Sequence, residues 1–221
     1  MSDANSPVTV FWDWNGTLCD DLSVSLDAVN ELLKLKGRPP ITVEQYYSYV
    51  DTPISKFYEH LFDLNEVTME EISLHYRTYY GSHLPEECLM PGIRTVLEKL
   101  RSGRVRQVIL SSAHRDSIEF RARNTGILDF FDDILAADDW YAFSKEERAR
   151  RYIRERCDDP ERIWFIGDAV HDAEVADACG CLERCILVPL GHQSREDLVR
   201  TGAIVCDGFD VVPGLIISTC S

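Results

Sequence analysis

The sequence predicts a three-layer α/β fold, a parallel sheet with helices on both faces, interrupted by an inserted block of helices. Three observations carry that prediction. From residue 93 onward, apolar β-branched runs of strand length alternate with stretches of helical period, the pattern of βαβ units. A further strand-like run, Val-Thr-Val-Phe-Trp at 8–12, stands near the start of the chain. Between the two lie residues 20–88, with helical signals and no convincing strand. The predicted organisation is therefore a core of residues 1–19 and 89–221 with a helical insert at 20–88.

Taken in order, the first strand stops on Asp13, and the turn pair Asn15-Gly16 follows at once. Leu22, Leu26, Val29 and Leu33 keep helical spacing until Gly37 and Pro39-Pro40 close that helix. Residues 42–83 read as further short helices punctuated by Pro53 and Gly81, and their many tyrosines read as packing residues. Ile93, Val96, Leu97 and Leu100 form one face of a helix ended by Gly103. Strands then fall at 105–110, 132–136, 162–166, 184–188 and 203–206, with helices at 115–124, 145–156 and about 171–179.

A chain of 221 residues, 45% hydrophobic with nine scattered prolines, is long enough for one sizeable core plus an insert. The formal net charge of -15 argues against nucleic acid and anionic membranes as partners, because their phosphates would be repelled. No apolar run reaches the roughly 18 residues of a membrane span, and the polar start is no signal peptide, so a soluble cytoplasmic protein is expected. Of the eight cysteines only Cys179, Cys181 and Cys185 cluster. Without a fourth ligand at zinc-site spacing they read as reduced, packed thiols. Oligomeric state is not encoded in any visible pattern.

The chemistry sits at strand ends. The first strand ends in Asp13, the second in Ser111-Ser112, and the 162–166 strand in Gly167-Asp168, with Asp172 four residues on. If these strands are neighbours, their ends converge where open α/β sheets bind ligands. Lys145 follows Ser144, and Ser144 with Glu147 fits a capping box. A lysine in a first helical turn opposes the helix dipole, which suggests that it is held there for an anion.

Asp13-Trp-Asn-Gly-Thr17, Ser111, Lys145 and Gly167-Asp168-x-x-x-Asp172 together resemble the four ordered motifs of haloacid dehalogenase-type phosphatases. The insert resembles the helical cap of their phosphoglycolate phosphatase and β-phosphoglucomutase branch. The resemblance implies a Rossmann-like core, a cap that excludes water on closing, and a small phosphorylated substrate. It also implies Mg²⁺ held by Asp13, the main-chain carbonyl of Asn15, and Asp168. Asp13 would be the nucleophile forming an aspartyl-phosphate, with Lys145 as a catalytic cation. Ser111, Ser112 and Lys145 would hold the phosphoryl oxygens, helped by amides of the helix starting near Arg115. Asn15, Thr17 and Asp172 would orient these groups.

One position departs from the pattern. Asn15 replaces the aspartate that serves as acid and base in family phosphatases, and its amide has no proton to exchange near neutral pH. Four readings stay open: another proton carrier such as His171, His114, Asp20 or Asp21; a leaving group that needs no proton; a phosphate-binding sensor of weak or no activity; or another hydrolase chemistry. Against phosphonate cleavage, Lys34, Lys36 and Lys56 have no visibly apolar setting. Against dehalogenation, Asp168 and Asp172 are both kept. The Asn15-Gly16 pair is also of the type prone to deamidation, which would restore an aspartate. Lys56, His60, Arg77, Tyr80 and His83 are the insert residues of a type to meet a leaving group, though ordinary packing accounts for each.

Overall fold

Val8, Val10, Phe11 and Trp12 are almost inaccessible to solvent, as a strand buried on both faces requires. In the computed structural model, which describes residues 7–51, 53–137, 144–157 and 159–218, this run forms β1 (Thr9–Trp12). It pairs with β2 (Arg106–His114) on one side and β4 (Ile163–Gly167) on the other. With β3 (Asp133–Ala137), β5 (Cys185–Leu187) and β6 (Ile204–Val205) the sheet runs β3-β2-β1-β4-β5-β6, and all pairings are parallel. Connections from β1 to β3 move outward one way, and those from β4 to β6 the other. The strand order therefore reverses at β1, where such sheets leave a crevice beyond the strand ends. Trp12 lies opposite both Ile109 and Ile166, so Asp13 leaves β1 between the two neighbouring strands.

The chain divides into two compact units, Asp21–Pro85 and the described parts of Met1–Asp20 with Glu86–Ser221. The first holds α1 (Leu22–Leu35), α2 (Val43–Tyr49), α3 (Ser55–Glu59) and α4 (Met69–His83). Val29, Leu32 and Leu33 of α1 share its core with Tyr46, Phe57, Tyr58 and Ile72, while Tyr47 and Tyr49 pack against it. Gly81 does not punctuate this unit as expected: α4 runs through it, and a methyl group there would meet nothing within 4 Å. An interior glycine costs only about 0.5–1 kcal/mol. The effective stop is Pro85, which forces Leu84 out of helical geometry (ψ 123°).

The larger unit adds α5 (Ile93–Ser102), α6 (Arg115–Asn124), α7 (Lys145–Arg156), α8 (Val170–Ala178), α9 (Arg195–Arg200) and α10 (Val212–Ile217). Phe11, Val108, Leu110, Phe165 and Leu187 from four neighbouring strands meet Ala149 and Tyr152 of α7 and Ala173, Val175 and Ala176 of α8 in one core. Strand β2 overruns the predicted 105–110 to His114, with a register irregularity between Leu110 and His114. Helices α9 and α10 were not predicted, because six residues are too few to show a helical period.

Candidate active site

Asp13 leaves β1 with its N–H donating to the carbonyl of Ile166 (2.9 Å), so its position is set by the sheet itself. Lys145 arrives from α7, which starts as the capping box requires: Ser144 accepts from the Glu147 N–H (3.1 Å) and the Ser144 N–H donates to Glu147 Oε2 (2.8 Å). The ammonium of Lys145 donates to Asp13 Oδ1 and to Asp172 Oδ1, 2.5 Å each. The other oxygen of Asp172 accepts from the N–H groups of Asp168 (3.1 Å) and Ala169 (3.0 Å), capping α8. Gly167 has no room for a side chain, since a methyl group there would lie 2.2 Å from the Asp172 carboxylate. Asp168 accepts from Thr17 Oγ1 at Oδ1 (2.9 Å) and from the His192 N–H at Oδ2 (2.7 Å). Asp13, Asp168 and Asp172 each offer a carboxylate oxygen, all within 4.8 Å of one another.

These groups are buried: Lys145, Asp168 and Asp172 are 7%, 1% and 5% exposed. Burial, reinforced by the neighbouring Asp172 and Asp168 and opposed by Lys145, pushes the Asp13 carboxyl up to about 7. Burial and the nearby Asp172, opposed by His192, likewise push Asp168 to about 6. Burial draws Lys145 down, but Asp13 and Asp172 outweigh it and hold the ammonium above its ordinary range. Two carboxylates therefore share one buried ammonium, with a third, Asp168, beside them. The donor set is all oxygen and short of positive charge, the chemistry that a hard divalent cation such as Mg²⁺ fits.

Ser111 is buried, and its Oγ accepts from the Ala113 N–H (3.1 Å), which leaves the hydroxyl proton to donate outward. Arg148 of α7 donates to the Ser111 carbonyl (2.7 Å), tying the helix that carries Lys145 to the end of β2. Ser112 is exposed. The first turn of α6 is a poorer anion site than expected. His114 Nδ1 already takes the Asp116 N–H (3.3 Å), and Asp116 adds a negative charge to the first turn.

Several candidates are not drawn into this cluster. His171 is half-buried beside Glu174 (3.2 Å), Asp20 is exposed, and Asp21 is buried in the smaller unit, accepting from Tyr80 (2.9 Å). Lys34, Lys36 and Lys56 pair with Glu31, Glu71 and Asp51 at half-exposed or exposed positions. His60 stacks on Tyr49, His83 on Tyr79, and Arg77 bonds the Ser73 carbonyl. The Gly16 N–H that deamidation would use donates to the Cys19 carbonyl (2.9 Å), so ring closure onto Asn15 must break the turn. Cys181 and Cys185 are buried in the core, and Cys179 packs against it. Two contributors escaped sequence reading, Arg148 and the Gly191-His192 turn. The second had a visible signal, a glycine and a polar residue just past a predicted strand.

Proteins of named activity resemble this one along most of their length. The chain is 26% identical to phosphoglycolate phosphatase of Nitrosospira multiformis over 218 residues, 95% of this chain and 93% of that protein. It is 25% identical to phosphoglycolate phosphatase of Synechococcus elongatus, with 86% and 87% covered. A haloacid dehalogenase-like hydrolase from Streptococcus pneumoniae shares the fold, with a TM-score of 0.80 at 21% identity over 97% of this chain and 99% of that one. Residues 8–180 match the family model of haloacid dehalogenase-like hydrolases, and with the motif residues gathered at one edge of the sheet, this chain belongs to that family.

Proposed function

We propose that this protein is a Mg²⁺-dependent phosphatase that takes the phosphoryl group of a small metabolite onto Asp13 and passes it to water. The observation that carries this reading is the Lys145 ammonium bridging Asp13 and Asp172 at 2.5 Å each, beside Asp168, at two neighbouring strand ends. The phosphoglycolate phosphatases among its relatives make phosphoglycolate the first substrate to try.

Lys145 holds one oxygen of Asp13, and the other would be the one that attacks the phosphorus. A divalent cation on Asp13, Asp168 and the Asn15 carbonyl would offset repulsion between the carboxylate and the phosphate dianion. The Ser111 hydroxyl, the neighbouring Ser112 and the Lys145 ammonium stabilise charge on the transferring oxygens. Asp172 keeps Lys145 in place, and Thr17 orients Asp168.

Asn15 has no proton to give the leaving group, and His114 and His171 are engaged with Asp116 and Glu174. The reading therefore favours substrates whose leaving group departs as a stable anion. The test is phosphate release with Mg²⁺ from phosphoglycolate, other phosphate esters and an acyl phosphate. The natural protein is expected to hydrolyse the acyl phosphate best. Asn15→Asp should raise ester turnover by about 10²- to 10⁴-fold, the usual worth of general acid–base help. Release by neither protein, with Mg²⁺ bound, would overturn the phosphatase reading. Release by Asn15→Asp alone would mark the natural chain as a phosphate binder with a sensing or partner role.

A further inference from the structure

Asp168 sits in a slot that no side chain could share. A methyl group on Gly16 (φ +72°) would lie 2.2 Å from its Oδ2. One on Gly191 would lie 2.1 Å from that same oxygen and 2.6 Å from the Gly16 carbonyl. Because position 191 is bare, the chain beyond β5 comes close enough for the His192 main-chain N–H to reach Oδ2 at 2.7 Å. The next residue extends the grip: Gln193 Oε1 accepts from the N–H of Val170, the first residue of α8 and two beyond Asp168. One turn thus holds the carboxylate and the backbone that follows it, while Thr17 holds the opposite oxygen (2.9 Å).

We propose that the turn Gly191-His192-Gln193 is the positioning element that presents Asp168 to the divalent cation; this rests on the metal-dependent reading above. With both oxygens of Asp168 engaged from opposite sides, its rotation is frozen before a cation arrives. Ligand orientation of this kind is worth about 10- to 100-fold in metal affinity. The donor at 192 belongs to the main chain, so the steric demand falls on residue 191 and the side-chain demand on residue 193.

Calorimetric titration with Mn²⁺, alongside circular-dichroism melting, tests this on the full chain. Gly191→Ala should weaken Mn²⁺ about 10- to 100-fold. Gln193→Ala adds no bulk and should weaken it by about 3- to 10-fold, so it decides the matter if Gly191→Ala does not fold. Gly202→Ala is the matched control: φ is +81° with nothing within 4 Å of a methyl group, so it should lower the melting temperature and leave Mn²⁺ affinity alone. Natural affinity in Gly191→Ala, or in Gln193→Ala if the former is unfolded, overturns the proposal. An equal loss in Gly202→Ala does so too, by showing general destabilisation. If the natural protein binds no Mn²⁺, the metal-dependent reading falls with it.

Discussion

Two groups of three metal-competent side chains lie in the core unit and have opposite characters. Cys179, Cys181 and Cys185 are close in sequence, yet burial pushes the Cys179 thiol up to about 12 and raises Cys181 and Cys185 as well. They are neutral packing residues, two of them inside the hydrophobic core. Asp13, Asp168 and Asp172 are up to 159 residues apart, and burial raises the first two as well. There, however, an ammonium, a threonine hydroxyl and main-chain N–H groups face the carboxylates and favour their charged forms. Burial acts the same way in both places; the donors at the strand ends separate a site from a core.

The sharpest way to break this contrast is to remove one charge from the carboxylate group. Asp13→Ala should abolish phosphate release, by roughly 10⁴-fold or more, as expected when the nucleophile of a catalytic unit is lost. The metal-free melting temperature should not fall, because one of three crowded carboxylates has gone. Retained release would refute the nucleophile. Lys145→Met should do the reverse to stability, leaving buried carboxylates uncompensated at a cost on the order of 3–5 kcal/mol, with release down about 10²- to 10³-fold. A Lys145→Met protein that melts like the natural one would show that the ion pairs do not hold the site.

Proton competition gives a smaller effect of known sign. Asp13 titrates near 7 and Asp168 near 6 when folded, against 3.8 ordinarily. The stability this confers on the metal-free protein is full below about pH 4 and is lost as pH rises through 6 to 7. Mg²⁺ needs the ionised carboxylates. Its stabilisation should therefore be slight at pH 5 and grow to about 3 kcal/mol at pH 8 with the cation near 100 times its dissociation constant. Equal thermal shifts at both pH values would contradict the assignment of these carboxylates to the cation. The smallest effect belongs to the thiols. Cys185→Ala should cost about 1–2 kcal/mol through lost packing and leave Mg²⁺ affinity and phosphate release unchanged. Stoichiometric zinc in the natural protein, absent from Cys181→Ala, would reverse that reading.

The sequence by itself determined the periodicities, the caps and the residue types. The α/β alternation, the start of α7 set by Ser144 and Glu147, and the strand that stops on Asp13 are all local patterns. Only the tertiary structure decided which distant groups meet. Thr17 reaches Asp168 across 151 residues, Lys145 reaches Asp13 across 132, and His192 reaches Asp168 from a strand end that no motif marks. The continuation of β2 past Ser111 was settled the same way, by sheet pairing. Period and capping depend on neighbours a few residues apart and can be read along the chain. Contacts across a sheet depend on strand order and register, which arise only when the whole core packs at once.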